Sequence, residues 1–156
     1  MFPDTVETPR LHLRRPVPMD AERIFQTYAQ DREVTRYVEW VPHASVETTR
    51  KFVAFCQGRW TNSVAFPYVI TRKEGRELLG MIEVRPNGHR ADFGYVLGRS
   101  YWGNGLMPEA IAAIVKLTLA HPATYRVSAT CDVENKASVR ALEKSGFSRE
   151  GLLRGT

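Results

Sequence analysis

Three glycines, Gly98, Gly103 and Gly105, crowd the junction between a strand-like stretch and a helix-like one. That junction constrains the chain more than any other feature. Ala91 to Leu97 reads as a strand, and Met107 to Ala120 carries apolar residues at helical spacing. Pro108 suits a first helical turn, and Glu109 suits the positive end of the helix dipole. Glycines at such a bend let backbone N–H groups approach an anion with no Cβ in the way. The first turn of the helix adds unsatisfied donors and a partial positive charge. A pyrophosphate is the natural guest, although the glycines alone fit a plain strand-to-helix turn equally well. Two familiar phosphate loops do not fit. A Walker loop needs Lys after its second glycine, and Gly103 is followed by Asn104. The dinucleotide pattern G-x-G-x-x-G meets Pro108 at its third glycine, and it would have to open the domain.

What precedes the loop also excludes a doubly wound fold. Leu11 and Leu13 alternate with polar residues before Pro16, which predicts a strand. Met19 to Gln30 shows a helical pattern, and a second helix is expected from an N-cap at Ser45 through Phe52, Val53 and Phe55 to Gly58. Ala65 to Thr71, Leu78 to Val84 and Ala91 to Leu97 then read as three strands. Lys73–Arg76 and an Asn87-Gly88 hairpin signal join them tightly, so they should be antiparallel. After the loop the order is helix, strand (Arg126 to Cys131), helix (Lys136 to Lys144), strand (Phe147 to Leu153), a crossover that implies parallel pairing. The expected fold class is α+β (mixed α/β): one domain over 1–156, with a mixed, mostly antiparallel twisted sheet and helices on both faces.

Composition narrows the function classes. A chain of 156 residues with 43% apolar and 25% charged residues can bury a sizeable core without staples. No apolar run reaches the roughly 18 residues of a membrane span, because Lys116 breaks the best candidate. The N-terminal residues lack a signal-peptide pattern. Cys56 and Cys131 are expected to be reduced thiols of a cytoplasmic protein. His12, His43, His89 and His121 show no metal-ligand spacing, so no metal is expected. Net charge is +5, but the 22 basic residues are scattered, which speaks against a nucleic-acid-binding stripe.

Four segments together resemble the GNAT superfamily of acetyl-coenzyme-A-dependent N-acetyltransferases, in the branch of the ribosomal-protein N-terminal acetyltransferases. They are Thr8–Arg14; Val34–Trp40 with Pro42 and His43; Asp92–Leu97 with Trp102–Gly105; and Asn135–Ser138 with Gly146 and Phe147. The resemblance covers nearly the whole chain. It implies a central strand that carries a bulge and splays from its parallel neighbour. The pantetheine arm of acetyl-coenzyme A would then pair with backbone at Tyr95, Val96 and Leu97. Its pyrophosphate would meet the amides of Trp102, Gly103, Asn104, Gly105 and Leu106, with Arg99 as an outer-phosphate partner and Asn135 on the pantetheine.

The implied reaction moves an acetyl group to a primary amine, either a protein N-terminus or a small molecule, by direct attack in a ternary complex. Asp92 is the first candidate for general base and Glu83 the second, and the alternation around Glu83 leaves its face open. An α-amine, with a pKa of roughly 7.7–8.0, would need less help from a water-relayed carboxylate than a lysine side chain would. The tyrosine acid of many superfamily members would fall at Leu142, so that route is absent. Ser138 is the expected donor to the leaving sulfur. Tyr37, Trp40 and His43 are expected to line the acceptor pocket. The alternative function is a catalytically inactive coenzyme-A-binding regulatory domain. The family adds one more strand than this chain provides, so either the chain is shortened, the favoured expectation, or a partner subunit completes the sheet edge; a monomer or homodimer is expected. No nucleic acid or membrane partner is expected.

Overall fold

The computed structural model describes residues 2–32, 42–122, 124 and 126–129. Among these lie six strands in one sheet, ordered as in the sequence. They are β1 (Thr5–Glu7), β2 (Leu11–Arg14), β3 (Phe66–Arg72), β4 (Leu78–Asn87), β5 (Arg90–Leu97) and β6 (Arg126–Ala129). Neighbours are antiparallel except β5 and β6, which are parallel from Arg90↔Arg126 to Phe93↔Ala129. Helix α1 (Asp20–Ile24) runs into a π-helical turn, Phe25–Ala29. Helix α2 spans Val46–Thr61 and helix α3 spans Leu106–Leu119.

The mixed, mostly antiparallel sheet expected from the sequence is therefore observed. The expected splay falls beyond Ala129, outside the described residues, as do the helix and strand expected over 136–144 and 147–153. Three local differences have physical causes. Strand β1 was not anticipated; it is three residues long, too short to show a period. Helix α2 does not end at Gly58 but continues to Thr61. Thr49, Val53, Cys56 and Trp60 form one buried stripe along it, and the Trp60 indole donates to the Pro67 carbonyl at 2.6 Å. Tertiary packing of the last turn overrides one glycine's weak helix propensity. The register shift lies between β3 and β4, at Ile70/Thr71, whereas the β4–β5 ladder is continuous from Gly80↔Leu97 to Asn87↔Arg90. The bulge expected on β5 is thus absent from its pairing with β4.

Two apolar layers cover the sheet. Leu13, Tyr68, Ile70, Ile82, Val84 and Phe93 pack under α3, which supplies Leu106, Ala110, Ile111 and Ile114. Val69, Leu78 and Met81 face Ala21, Ile24 and Tyr28 of the first helical segment and Val53 and Cys56 of α2. Both faces of β4 are consequently buried over Leu78–Ile82. The turns conform to their glycines: Gly75 and Gly88, in the β3–β4 and β4–β5 connections, have φ of +78° and +64°. Among the described residues no helix is long and apolar enough to cross a membrane, and no cluster of His, Cys, Asp and Glu could hold a metal ion.

Candidate active site

The loop between β5 and α3 is the first part of the site. The Gly98 amide donates to the Leu79 carbonyl at 2.8 Å, which anchors the end of β5 to β4. A short 3₁₀ turn, Arg99–Tyr101, follows. Its bonds consume the amides of Tyr101 and Trp102, which donate to Gly98 and Arg99. Trp102 therefore differs from expectation: its amide is spent within the turn, and its indole donates to the Leu97 carbonyl at 2.8 Å. Beyond it the chain opens. Gly103 and Gly105 adopt φ of +82° and +73°, a region costly for any residue with a Cβ. Gly105 is the N-cap of α3, and its carbonyl accepts the first helical bond, from the Glu109 amide at 3.3 Å. Pro108 has no N–H to satisfy. Among the described residues, the amides of Gly103, Asn104, Gly105, Leu106 and Met107 have no acceptor. Five open donors at a helix N-terminus are what an anion requires, and space beside Gly103 is empty to 4 Å.

The β5 backbone is the second part. In an antiparallel pair, hydrogen-bonded and non-hydrogen-bonded residue pairs alternate. The Gly98–Leu79 bond fixes the phase, so Val96, opposite Met81, directs its N–H and C=O to β4. Tyr95 and Leu97 direct theirs to the other edge, the side of β6. Of the three residues expected to meet a pantetheine arm, Val96 is thus occupied within the sheet, and the Leu97 carbonyl already accepts the Trp102 indole.

The third part is a charged group on the α1–α2 face. Side chains alternate along β4 and β5, and Ala91 and Phe93 face α3, so Asp92 points to the opposite face. Glu83 lies between Ile82 and Val84, which face α3, and so joins Asp92. Arg85, opposite Asp92 in the register, bridges the two. Its guanidinium lies 3.0 Å from Asp92 Oδ2 and 3.5 Å from Glu83 Oε2. Arg59 of α2 takes the other Glu83 oxygen, Oε1, at 2.6 Å. The Arg85 guanidinium covers Gly94, where a Cβ would lie 3.1 Å from it. Both Glu83 oxygens are engaged, while Asp92 Oδ1 has no partner among the described residues. That asymmetry distinguishes the two candidate carboxylates.

His43 closes this face. Its amide donates to the Ala29 carbonyl at 2.8 Å, its Nδ1 lies 2.7 Å from the Thr49 hydroxyl, and its ring meets Phe52 edge-on at 5.7 Å. Burial lowers its pKa and favours the neutral imidazole. Arg99 does not stand clear as a phosphate ligand: it forks onto Asp31, with both bonds at 3.1 Å. Tyr37, Trp40, Asn135 and Ser138 lie outside the described residues. Sequence reading missed Arg10, Thr8, Arg59 and Arg85. Arg10 and Thr8 hold Glu109 from the β1–β2 turn, a pairing too distant in sequence for any local pattern to reveal.

The sequence pattern of the GNAT acetyltransferase domain matches residues 10–148. The chain belongs to the GNAT acetyltransferase family. YoaA, an uncharacterized N-acetyltransferase of Bacillus subtilis, is 33% identical over 99% of this chain and 88% of its own length. The ribosomal protein uS5-alanine N-acetyltransferase of Escherichia coli is 26% identical over 92% of this chain and 78% of its own length. Ribosomal-protein acetyltransferases are thus among the relatives of this chain. Among solved structures, a GNAT-family acetyltransferase from Bacillus anthracis is 28% identical and superposes with a TM-score of 0.82, over 94% of this chain and 85% of its own. The microcin C7 self-immunity acetyltransferase MccE, solved with acetyl-CoA and AMP, shares the fold at 22% identity and a TM-score of 0.85, over 96% and 86%. As a family member the chain is an N-acetyltransferase.

Proposed function

We propose that this enzyme transfers an acetyl group from acetyl-coenzyme A to a primary amine by direct attack in a ternary complex. The observation that carries the reading is the run of five amides, Gly103 to Met107, that have no acceptor among the described residues at the start of α3. A diphosphate fits that donor set. The bound acetyl-coenzyme A in MccE, which shares this fold, supports the same co-substrate here.

The chain's own groups divide the remaining work. The outward backbone of Tyr95 and Leu97 lines the path along which the thioester arm would lie. Asp92 Oδ1, with Oδ2 tied to Arg85, receives the amine proton through a water molecule. Glu83 has both oxygens engaged and serves to fix Arg85 rather than to take a proton. The amine nitrogen bonds to the acetyl carbonyl carbon as the carbon–sulfur bond breaks. The sulfur leaves as a thiolate, to which the Ser138 hydroxyl donates a hydrogen bond; Leu142 stands where other family members carry a tyrosine. His43, with Tyr37 and Trp40, borders the acceptor side.

The acceptor is an amine of α-amino type, on a protein N-terminus or a small molecule. Its modest pKa, roughly 7.7–8.0, suits a single water-relayed carboxylate. The uS5-alanine enzyme, which acts on such a terminus, supports this choice. Free-thiol release across a panel of amines and N-terminal peptides tests it. Asp92→Asn should lower kcat about 100-fold or more near neutral pH while the KM for acetyl-coenzyme A stays within about twofold. Glu83→Gln should act on the acceptor KM. Full turnover in both Asp92→Asn and Ser138→Ala would overturn the assignments.

A further inference from the structure

Arg10 occupies the turn between β1 and β2, yet its side chain ends on the loop before α3. Nη1 donates to the Asn104 carbonyl at 3.0 Å and Nη2 to the Gly105 carbonyl at 3.1 Å. Nε donates to Glu109 Oε1 at 2.8 Å, and the Arg10 main-chain N–H donates to Glu109 Oε2 at 3.0 Å. Thr8 Oγ1 donates to the same Oε2 at 2.5 Å and in turn accepts from the Leu11 amide at 2.9 Å. Every part of the guanidinium fork is thus directed at the loop or at the first turn of the helix. The arginine side chain is 46% exposed. Exposed ion pairs contribute little to stability, so so many bonds on one loop call for a geometric reason.

The planar trans peptide supplies it. In a trans unit the C=O and the following N–H point in opposite directions. Holding the Asn104 carbonyl toward Arg10 therefore turns the Gly105 N–H away from it. Holding the Gly105 carbonyl does the same to the Leu106 N–H. Both amides belong to the five without acceptors. The Gly105 carbonyl also accepts from the Glu109 amide at 3.3 Å, but the Asn104 carbonyl has Arg10 as its one donor among the described residues, and with φ of +73° at Gly105 that plane could otherwise rotate, because glycine populates several backbone regions at similar cost.

We infer that Arg10 is a positioning residue for diphosphate recognition: its fork on the Asn104 and Gly105 carbonyls aims the Gly105 and Leu106 amides at the anion, without touching it. The inference rests on the proposed acetyl-coenzyme A reading. Glu109 and Thr8 hold the fork in place, and the ion pair complements the start of the helix.

The test uses Arg10→Gln and Arg10→Lys in the full chain, each checked for wild-type far-ultraviolet dichroism. Calorimetry with coenzyme A and kinetics with acetyl-coenzyme A are set against S-acetylpantetheine, which lacks the diphosphate. For Arg10→Gln, Kd and KM for the nucleotide-bearing compounds should rise about tenfold or more, kcat should stay within about twofold, and kcat/KM for S-acetylpantetheine should be unchanged. Arg10→Lys keeps the charge but cannot span two carbonyls, so it should show most of the same rise. Should Arg10→Gln fail to fold, the lysine variant decides alone. Wild-type coenzyme A affinity in the lysine variant overturns the inference, as does an equal loss on both acetyl donors. A wild-type protein that binds no coenzyme A at all would instead sink the acetyl-coenzyme A reading, and this inference with it.

Discussion

Gly80→Ala should damage stability and co-substrate affinity together. Gly80 sits on β4 beside the β3–β4 register shift and opposite Leu97. A Cβ there would lie 2.1 Å from the Val96 carbonyl oxygen and 2.9 Å from the Leu97 Cα. Ordinary contact begins at 3.4 Å, so the two strands must part by about 1.3 Å, and both offending atoms are backbone. Overpacking of this kind costs about 1–3 kcal/mol. The displaced strand end also strains the Gly98–Leu79 bond, worth about 1 kcal/mol. A total near 3 kcal/mol lowers Tm by about 6–12 °C in a domain of this size. The same movement shifts Tyr95 and Leu97, so the KM for acetyl-coenzyme A should rise as well. Thermal unfolding followed by dichroism, with steady-state kinetics at 25 °C, reads both effects. A variant that melts within about 2 °C of the wild type with an unchanged KM would refute the close approach of β4 and β5.

Two further perturbations test other parts of the account. Burial raises the Glu109 carboxyl pKa, but the Thr8 hydroxyl, the Arg10 side chain and the Arg10 amide more than offset this and hold it below its ordinary value of 4.5. A lowered folded-state pKa contributes stability that is present above 4.5 and is lost as pH falls through the folded value. The stability gap between wild type and Glu109→Gln, on the order of 1 kcal/mol at pH 7 for this partly exposed pair, should therefore close as pH falls below 4.5 in urea titrations; a gap that persists in strong acid contradicts the ion pair. The Tyr28 hydroxyl is buried with no partner among the described residues, and burial raises its pKa well above the ordinary value. Tyr28→Phe should leave Tm unchanged or raise it, since an unpaired buried hydroxyl is costly; a loss of more than about 1 kcal/mol would show a bonded hydroxyl.

The parts of the fold that local chemistry dictates were readable in advance. Gly75, Gly88, Gly103 and Gly105 each mark a left-handed turn, and glycine clusters reveal such turns without any tertiary knowledge. Pro108 and Glu109 marked the start of α3 for the same reason. What escaped detection depends on the second and third layers of structure. Glu83 could not be placed on a face because Met81 and Ile82 are both buried, one on each side. A strand covered on both faces loses its alternation. Asp92 and Glu83 were ordered from the sequence, but the difference in their surroundings became visible only with Arg59 and Arg85, which take three of their four carboxylate oxygens. The Trp102 amide looked available until the 3₁₀ turn that consumes it was visible. Arg10 was recognised only as part of an opening strand, because its partners are 94 to 99 positions away.

Amide-resolved NMR of the folded protein titrated with coenzyme A tests the central claim most directly. The largest ¹⁵N–¹H shift changes should fall on Gly103, Asn104, Gly105, Leu106 and Met107, with Tyr101 and Trp102, whose amides already have acceptors, moving less. Saturable binding that leaves those five resonances in place, or no binding at millimolar coenzyme A, would contradict it.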